Sequence, residues 1–257
     1  EGLLGIITEV TLRLLPPQAP ACTVVGTFAS VHDASEAVLA VTAEIRPAML
    51  EFMDRPSINA VEDLLRMGLD REAGALLVAQ SDAPGPAGVA EVELIQKAFE
   101  SNGATEVFAT EDAAEGEAFT AARRAAIPAV EKLGSLLLED VGVPLPALPT
   151  LIDGVESIAA DNRVMIAVIA HAGDGNTHPL IVFDPADADE RDRAQRAFRQ
   201  VMDLAISLGG TITGEHGVGR LKKAWLPDQV GPDVMELTAL IKHALDPEGL
   251  LNPGVVL

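Results

Sequence analysis

Met165-Ile-Ala-Val-Ile-Ala-His-Ala-Gly-Asp-Gly-Asn-Thr-His-Pro-Leu-Ile-Val-Phe183 sets a polar, glycine-flanked turn between two apolar runs of strand length. It reads as strand, six-residue loop, strand. Antiparallel pairing of the two runs brings His171 and His178 to the mouth of the loop, with Cβ atoms roughly 5 Å apart if directly opposed. Imidazole nitrogens on such a pair can share one ion at about 2.0–2.1 Å each. A second turn, Thr213-Gly-Glu-His-Gly-Val-Gly219, follows a helical stretch and offers Glu215 as a third ligand. Two histidines and a carboxylate leave coordination positions open, the pattern of a catalytic metal site and not of a closed structural one. Zinc is the first choice of ion, and manganese and iron also suit this donor set. Side chains of sequence neighbours diverge, so His216 is assigned proton transfer, a task that suits an imidazole titrating near neutrality.

The bland reading of a single histidine at a strand end is a hydrogen-bonded structural residue. Concentration argues against it here, because three of only five histidines fall in these two turns together with Glu215. Asp174 and Asn176 read as turn formers whose side chains bond their own backbone.

Outward from the hairpin, short apolar strands alternate with helical patterns. Strands are expected at 23–28, 47–53, 75–79 and 105–110, and helices at 31–41, 58–66 and 89–102. Residues 115–130 form one helix, 151–162 lead into the hairpin, 188–208 form a long amphipathic helix, and 233–245 a last one carrying His243 on the surface. Residues 1–15 alternate as a strand does and end at Pro16-Pro17. This rhythm gives an α+β layer, with parallel and antiparallel sheets equally permitted. Arg123 and Arg124 lie on the 115–130 helix, and either guanidinium can hold a carboxylate bidentately. Arg220, Lys222 and Lys223 follow the Glu-His turn and offset acidic neighbours.

A hydrophobic share of 48% over 257 residues supports a sizeable core. The net charge of −21 argues against a nucleic-acid partner. No uninterrupted apolar stretch reaches the roughly 18 residues of a membrane span. Cys22 is the sole cysteine, which excludes an internal disulfide and makes a reducing, cytoplasmic setting the default.

The two turns, the closing Leu250-Leu-Asn-Pro-Gly254, Pro47-Ala-Met-Leu-Glu-Phe-Met-Asp54 and the opening Glu1-Gly-Leu-Leu-Gly-Ile-Ile-Thr-Glu-Val-Thr-Leu-Arg-Leu14 carry a resemblance. Together they resemble the C-terminal cap region of FAD-linked oxidases of the vanillyl-alcohol oxidase type. Within that family they are most similar to the branch of glycolate oxidase FAD-binding subunits, D-lactate dehydrogenases and D-2-hydroxyglutarate dehydrogenases. The resemblance implies a ferredoxin-like antiparallel sheet covered by helices on one face, with a C-terminal helical segment. It implies that residues 1–17 are the tail of an FAD-binding domain and 18–257 the cap and substrate domain. It also implies Arg123 as the carboxylate-binding arginine and Asn252 as a flavin contact. Leu145-Pro146 stand where relatives carry arginines and Leu180 where hydroxyglutarate enzymes carry asparagine, which points to a small monocarboxylate.

The expected function is oxidation of a 2-hydroxy carboxylic acid, with hydride passing to FAD held mainly by the flavin domain. Its partners are that domain, an electron-acceptor subunit and further copies of the chain, with attachment to a membrane only through partners. Two rivals stand beside it: a flavin-independent hydrolase using the same two histidines and glutamate, and a non-catalytic cap serving association.

Overall fold

The structure, a computed structural model, describes residues 1–14 and 21–257. The break expected at Pro16-Pro17, and the domain boundary at 17, lie outside the described residues. Among those residues, eight strands form one sheet: β1 (Cys22–Phe28), β2 (Met49–Asp54), β3 (Ala75–Ser81), β4 (Ala104–Thr110), β5 (Ser135–Leu138), β6 (Val141–Gly142), β7 (Met165–His171) and β8 (Asn176–Phe183). Their order is β4-β1-β3-β2-β7-β8-β5, with β6 on the start of β8, and each pairing is antiparallel. The helices are α1 (Val31–Glu44), α2 (Arg55–Leu65), α3 (Pro86–Ser101), α4 (Ala113–Arg124), α5 (Ala126–Glu131), α6 (Leu148–Asn162), α7 (Ala188–Ser207), α8 (Leu226–Val230) and α9 (Pro232–Leu245). The first four strands have the 4-1-3-2 order of a ferredoxin-like unit, with α1 and α3 as its crossovers. The remaining four extend the sheet from the β2 edge.

Alternation along the strands sorts the core into two clusters. Val24, Phe52, Leu77, Val168 and Ile181 face α1, α3, α6 and α7. Val25, Met53, Val78, Ile169 and Leu180 face the other way, under α2, α4 and α5. Helices therefore cover both faces and not one, because β2, β3, β7 and β8 are buried on both sides and need two apolar layers. The C-terminal helical segment is α8 and α9, as expected.

Local signals explain the helix starts. The Ser30 hydroxyl accepts the Asp33 amide to cap α1, and the Asp54 carboxylate accepts the Ser57 amide to cap α2. Four expectations change. The 115–130 helix is broken at Ala125, because Pro128 has no amide to give the Arg124 carbonyl four residues back. Ser135–Leu138 pairs with β8 as an unforeseen strand. The opening alternation forms no strand within residues 1–14, and Ile7 and Leu14 stand 84% and 90% exposed for want of a neighbour to pair with. The hairpin loop is shorter than six residues, with consequences described below. No helix among the described residues is long and apolar enough to cross a membrane.

Candidate active site

The two strands of the hairpin pair with His171 opposite Asn176 and His178 opposite Ile169. The histidines are thus diagonal, two residues out of register, and not directly opposed. The reason is a tight turn: a 3-10 segment over Ala172–Asp174 closes on Gly175 at φ +73°, and β8 begins at Asn176. A Cβ on Gly175 would collide with the Val143 carbonyl oxygen, so glycine meets both the backbone angle and the close approach. Both histidines still lie on the Ile169 face, with ring centroids 5.2 Å apart and planes nearly perpendicular.

The Glu-His turn is delivered by the end of α7 and fixed by Asp140, fully buried between β5 and β6. One oxygen of Asp140 accepts the Thr213 hydroxyl at 2.8 Å and the amides of Gly214, Glu215 and His216 at 2.9, 3.0 and 2.8 Å. Burial alone would raise this carboxyl, yet these donors hold it below the usual carboxylate range. The turn also lies hard against the hairpin: a Cβ on Gly214 would strike the Asn176 amide group. Asn176 Oδ1 is buried without a hydrogen-bond partner, so the expected bond to its own backbone is absent.

So placed, Glu215 Oε1 stands 3.3 Å from His171 Nε2 and 3.4 Å from His178 Nε2. Two donors at about 2.0–2.1 Å from one ion and at a tetrahedral angle lie about 3.3–3.4 Å apart, so this donor set fits a divalent cation. The opposite ring nitrogens face carboxylates, the arrangement that orients metal-binding histidines. His171 Nδ1 is 2.7 Å from Glu51 Oε1, and His178 Nδ1, buried and without a hydrogen bond, is 3.8 Å from Asp140 Oδ1. The bond to Glu51 raises the His171 pKa, whereas burial lowers that of His178.

His216 stacks on His178 with ring centroids 4.9 Å apart and stays 40% exposed at the rim. It forms a second donor cluster with Asp140 and His178, in which Asp140 Oδ2 accepts the amides of the turn and Oδ1 lies 3.8 Å from His178 Nδ1. His216 Nε2 also lies 3.9 Å from Glu215 Oε1, which sets this imidazole beside the first cluster.

Arg123 and Arg124 diverge. Arg124 is exposed and pairs with Glu117, while Arg123 is buried, with Nε 2.9 Å from Glu51 Oε2 and Nη2 lacking a hydrogen-bond partner. Burial lowers the Arg123 pKa against the pull of Glu51. Asn252, at φ +44°, donates to the Glu1 carbonyl at 2.6 Å. Lys222 Nζ donates to the Asp140 carbonyl at 2.9 Å and lies against buried Glu139, in keeping with the expected charge offset. A cleft of about 560 Å3 opens over His171 and Glu215, and another of about 390 Å3 adjoins it past Glu51 and Arg46. The arrangement can bind a cation and accept a proton beside it, with the buried Arg123 guanidinium tied to the cluster through Glu51.

Sequence reasoning gave no task to Glu51 or Asp140. Both carried a readable signal, an acid within or directly after an apolar run, where a buried charge requires a partner.

The sequence pattern of the family "FAD linked oxidases, C-terminal domain" matches residues 17–256. The chain is 35% identical to the glycolate oxidase subunit GlcD of Bacillus subtilis (strain 168) over 99% of its own length and 54% of that protein. It is 32% identical to the mitochondrial D-lactate dehydrogenase [cytochrome] of Arabidopsis thaliana, over 99% of this chain and 45% of that one. It therefore spans about half the length of those relatives. The solved structure of p-cresol methylhydroxylase with substrate bound superposes with a TM-score of 0.68 at 13% identity, covering 93% of this chain and 53% of that one. That likeness concerns the fold.

Proposed function

The chain belongs to the family of C-terminal domains of FAD-linked oxidases, and on that premise we propose that it is the substrate- and metal-binding part of a flavin-dependent 2-hydroxy acid oxidoreductase. Glycolate and D-lactate are the proposed substrates, after the activities named for its relatives. Residues 18–257 are read as the cap and 1–17 as the end of a flavin-binding domain that holds most of the FAD. The observation that carries the proposal is the convergence of His171 Nε2 and His178 Nε2 on Glu215, with the His216 imidazole stacked on His178 beside them.

Each residue has a task in this reading. His171, His178 and Glu215 would hold a divalent cation, zinc first, with manganese and iron also suited. Such an ion, when bound, supplies Lewis acidity toward the substrate hydroxyl, and the flavin supplies a hydride acceptor. Arg123 is assigned the substrate carboxylate, which a charge-assisted bond from its guanidinium would orient. His216 takes the hydroxyl proton on a ring nitrogen, its exposed edge returning that proton to solvent. Asn252 is assigned the flavin edge. The relatives named as glycolate oxidase subunits support a partner subunit that receives the electrons, and the cytoplasm is the proposed setting.

The test is His216→Asn in the full-length protein. Turnover of glycolate or D-lactate should fall about 10²-fold or more with flavin and metal contents unchanged; unchanged turnover overturns the assignment.

A further inference from the structure

Glu51 has no task in the account so far, yet it touches both of its halves. It lies on β2 directly across from His171 on β7, in a register that turns both side chains to the same face of the sheet. Its neighbours Leu50 and Phe52 are core residues, and its own side chain is only 11% exposed. A carboxylate in such a place costs stability unless it is paired. Oε1 is hydrogen-bonded to His171 Nδ1 at 2.7 Å, and Oε2, without a hydrogen-bond partner, is neutralised by the Arg123 guanidinium, whose Nε lies 2.9 Å away.

From this geometry we infer that Glu51 is a positioning residue shared by the cation site and the carboxylate site, holding His171 by one oxygen and Arg123 by the other. The inference rests on the functional reading above. As a carboxylate acceptor, Glu51 fixes the His171 proton on Nδ1, so the Nε2 lone pair is the one directed at Glu215 and the cation position. On the other side, the ion pair with Nε anchors the guanidinium of Arg123, whose buried Nη2 has no hydrogen-bond partner within the chain. It also supplies the countercharge that keeps a buried arginine in place. Removal of this single charge should therefore weaken two separable binding events. A residue supporting only the local fold would leave both binding events at parental strength in protein that is still folded.

The experiment uses the full-length flavoprotein and the variant Glu51→Gln, which preserves volume but sets an amide where one of two donors points. Three quantities are read: the zinc dissociation constant of metal-stripped protein by chelator competition, KM and kcat for glycolate and D-lactate, and the thermal midpoint without metal. Zinc affinity should fall about 10- to 100-fold, as found when partners of metal-ligating histidines are removed. KM at saturating zinc should rise by about 10-fold or more, the loss of one charge-oriented contact, with kcat changed less. The metal-free midpoint should fall, because Arg123 is left buried without its countercharge, so both binding constants are read well below it, on protein that is fully folded. Should the glutamine variant fail to fold, Glu51→Asp, which keeps the charge but withdraws it, carries the same readouts. If the parent itself takes up no zinc, the functional reading falls. If the parent binds zinc and the variant shows parental zinc affinity, or parental KM, Glu51 does not hold both sites and the inference is overturned.

Discussion

One oxygen of Asp140 accepts the main-chain amide of His216 at 2.8 Å across 76 residues of sequence. The same oxygen takes the Gly214 and Glu215 amides and the Thr213 hydroxyl, so one carboxylate sets the backbone of the whole Glu-His turn. In Asp140→Asn the amide group keeps a single acceptor oxygen and carries no charge. Buried donors left without a partner cost about 1–3 kcal/mol each, and a loss of roughly 3 kcal/mol is expected. For a chain of this size that is a fall in thermal midpoint on the order of 5–10 °C. Zinc affinity should drop with it, because Glu215 leaves its place opposite the histidines. A variant with parental midpoint and zinc affinity contradicts the role given to Asp140.

Asp54 joins α2 to the hairpin, its carboxylate accepting the Ser57 amide at 2.9 Å and the Val168 amide at 2.7 Å. Burial pushes its pKa up to about 7, against the lowering by Ser57 and Val168. The folded chain therefore keeps a proton that the unfolded chain releases at the ordinary carboxylate pKa. Its contribution to stability is full at low pH and is lost as pH rises through about 7. The difference in unfolding free energy between the parent and Asp54→Asn, which cannot titrate, should shift against the parent by on the order of 2 kcal/mol from pH 5 to 8. Denaturant titrations across that range measure it, and a pH-independent difference contradicts the assignment.

Much of this molecule was legible in its sequence, and the residues it concealed have a common physical origin. The runs around His171 and His178 read as strands because β7 and β8 are buried on both faces and so carry unbroken apolar residues. The two turns read as a site because rare side chains crowd into them. Their exact facing did not follow, since it depends on whether the strand resumes at Asn176 or two residues later. Glu51 and Asp140 could be read as buried acids but not given their roles, because the partners lie 120 and 76 residues away and are set by the tertiary fold, which no local pattern encodes. Residues 1–14 alternate as a strand does, but among the described residues no strand pairs with them. The break at Ala125 was readable, since Pro128 withholds the amide that a continuous helix requires.

The claim on which the account depends is that His171, His178 and Glu215 together hold one divalent cation. Anomalous diffraction at the zinc absorption edge, from crystals of the full-length protein grown with zinc, tests it most directly. The account predicts a single strong peak bounded by His171 Nε2, His178 Nε2 and the Glu215 carboxylate, and its loss in Glu215→Ala. A map without density there, or with zinc ligated by other residues, would contradict it.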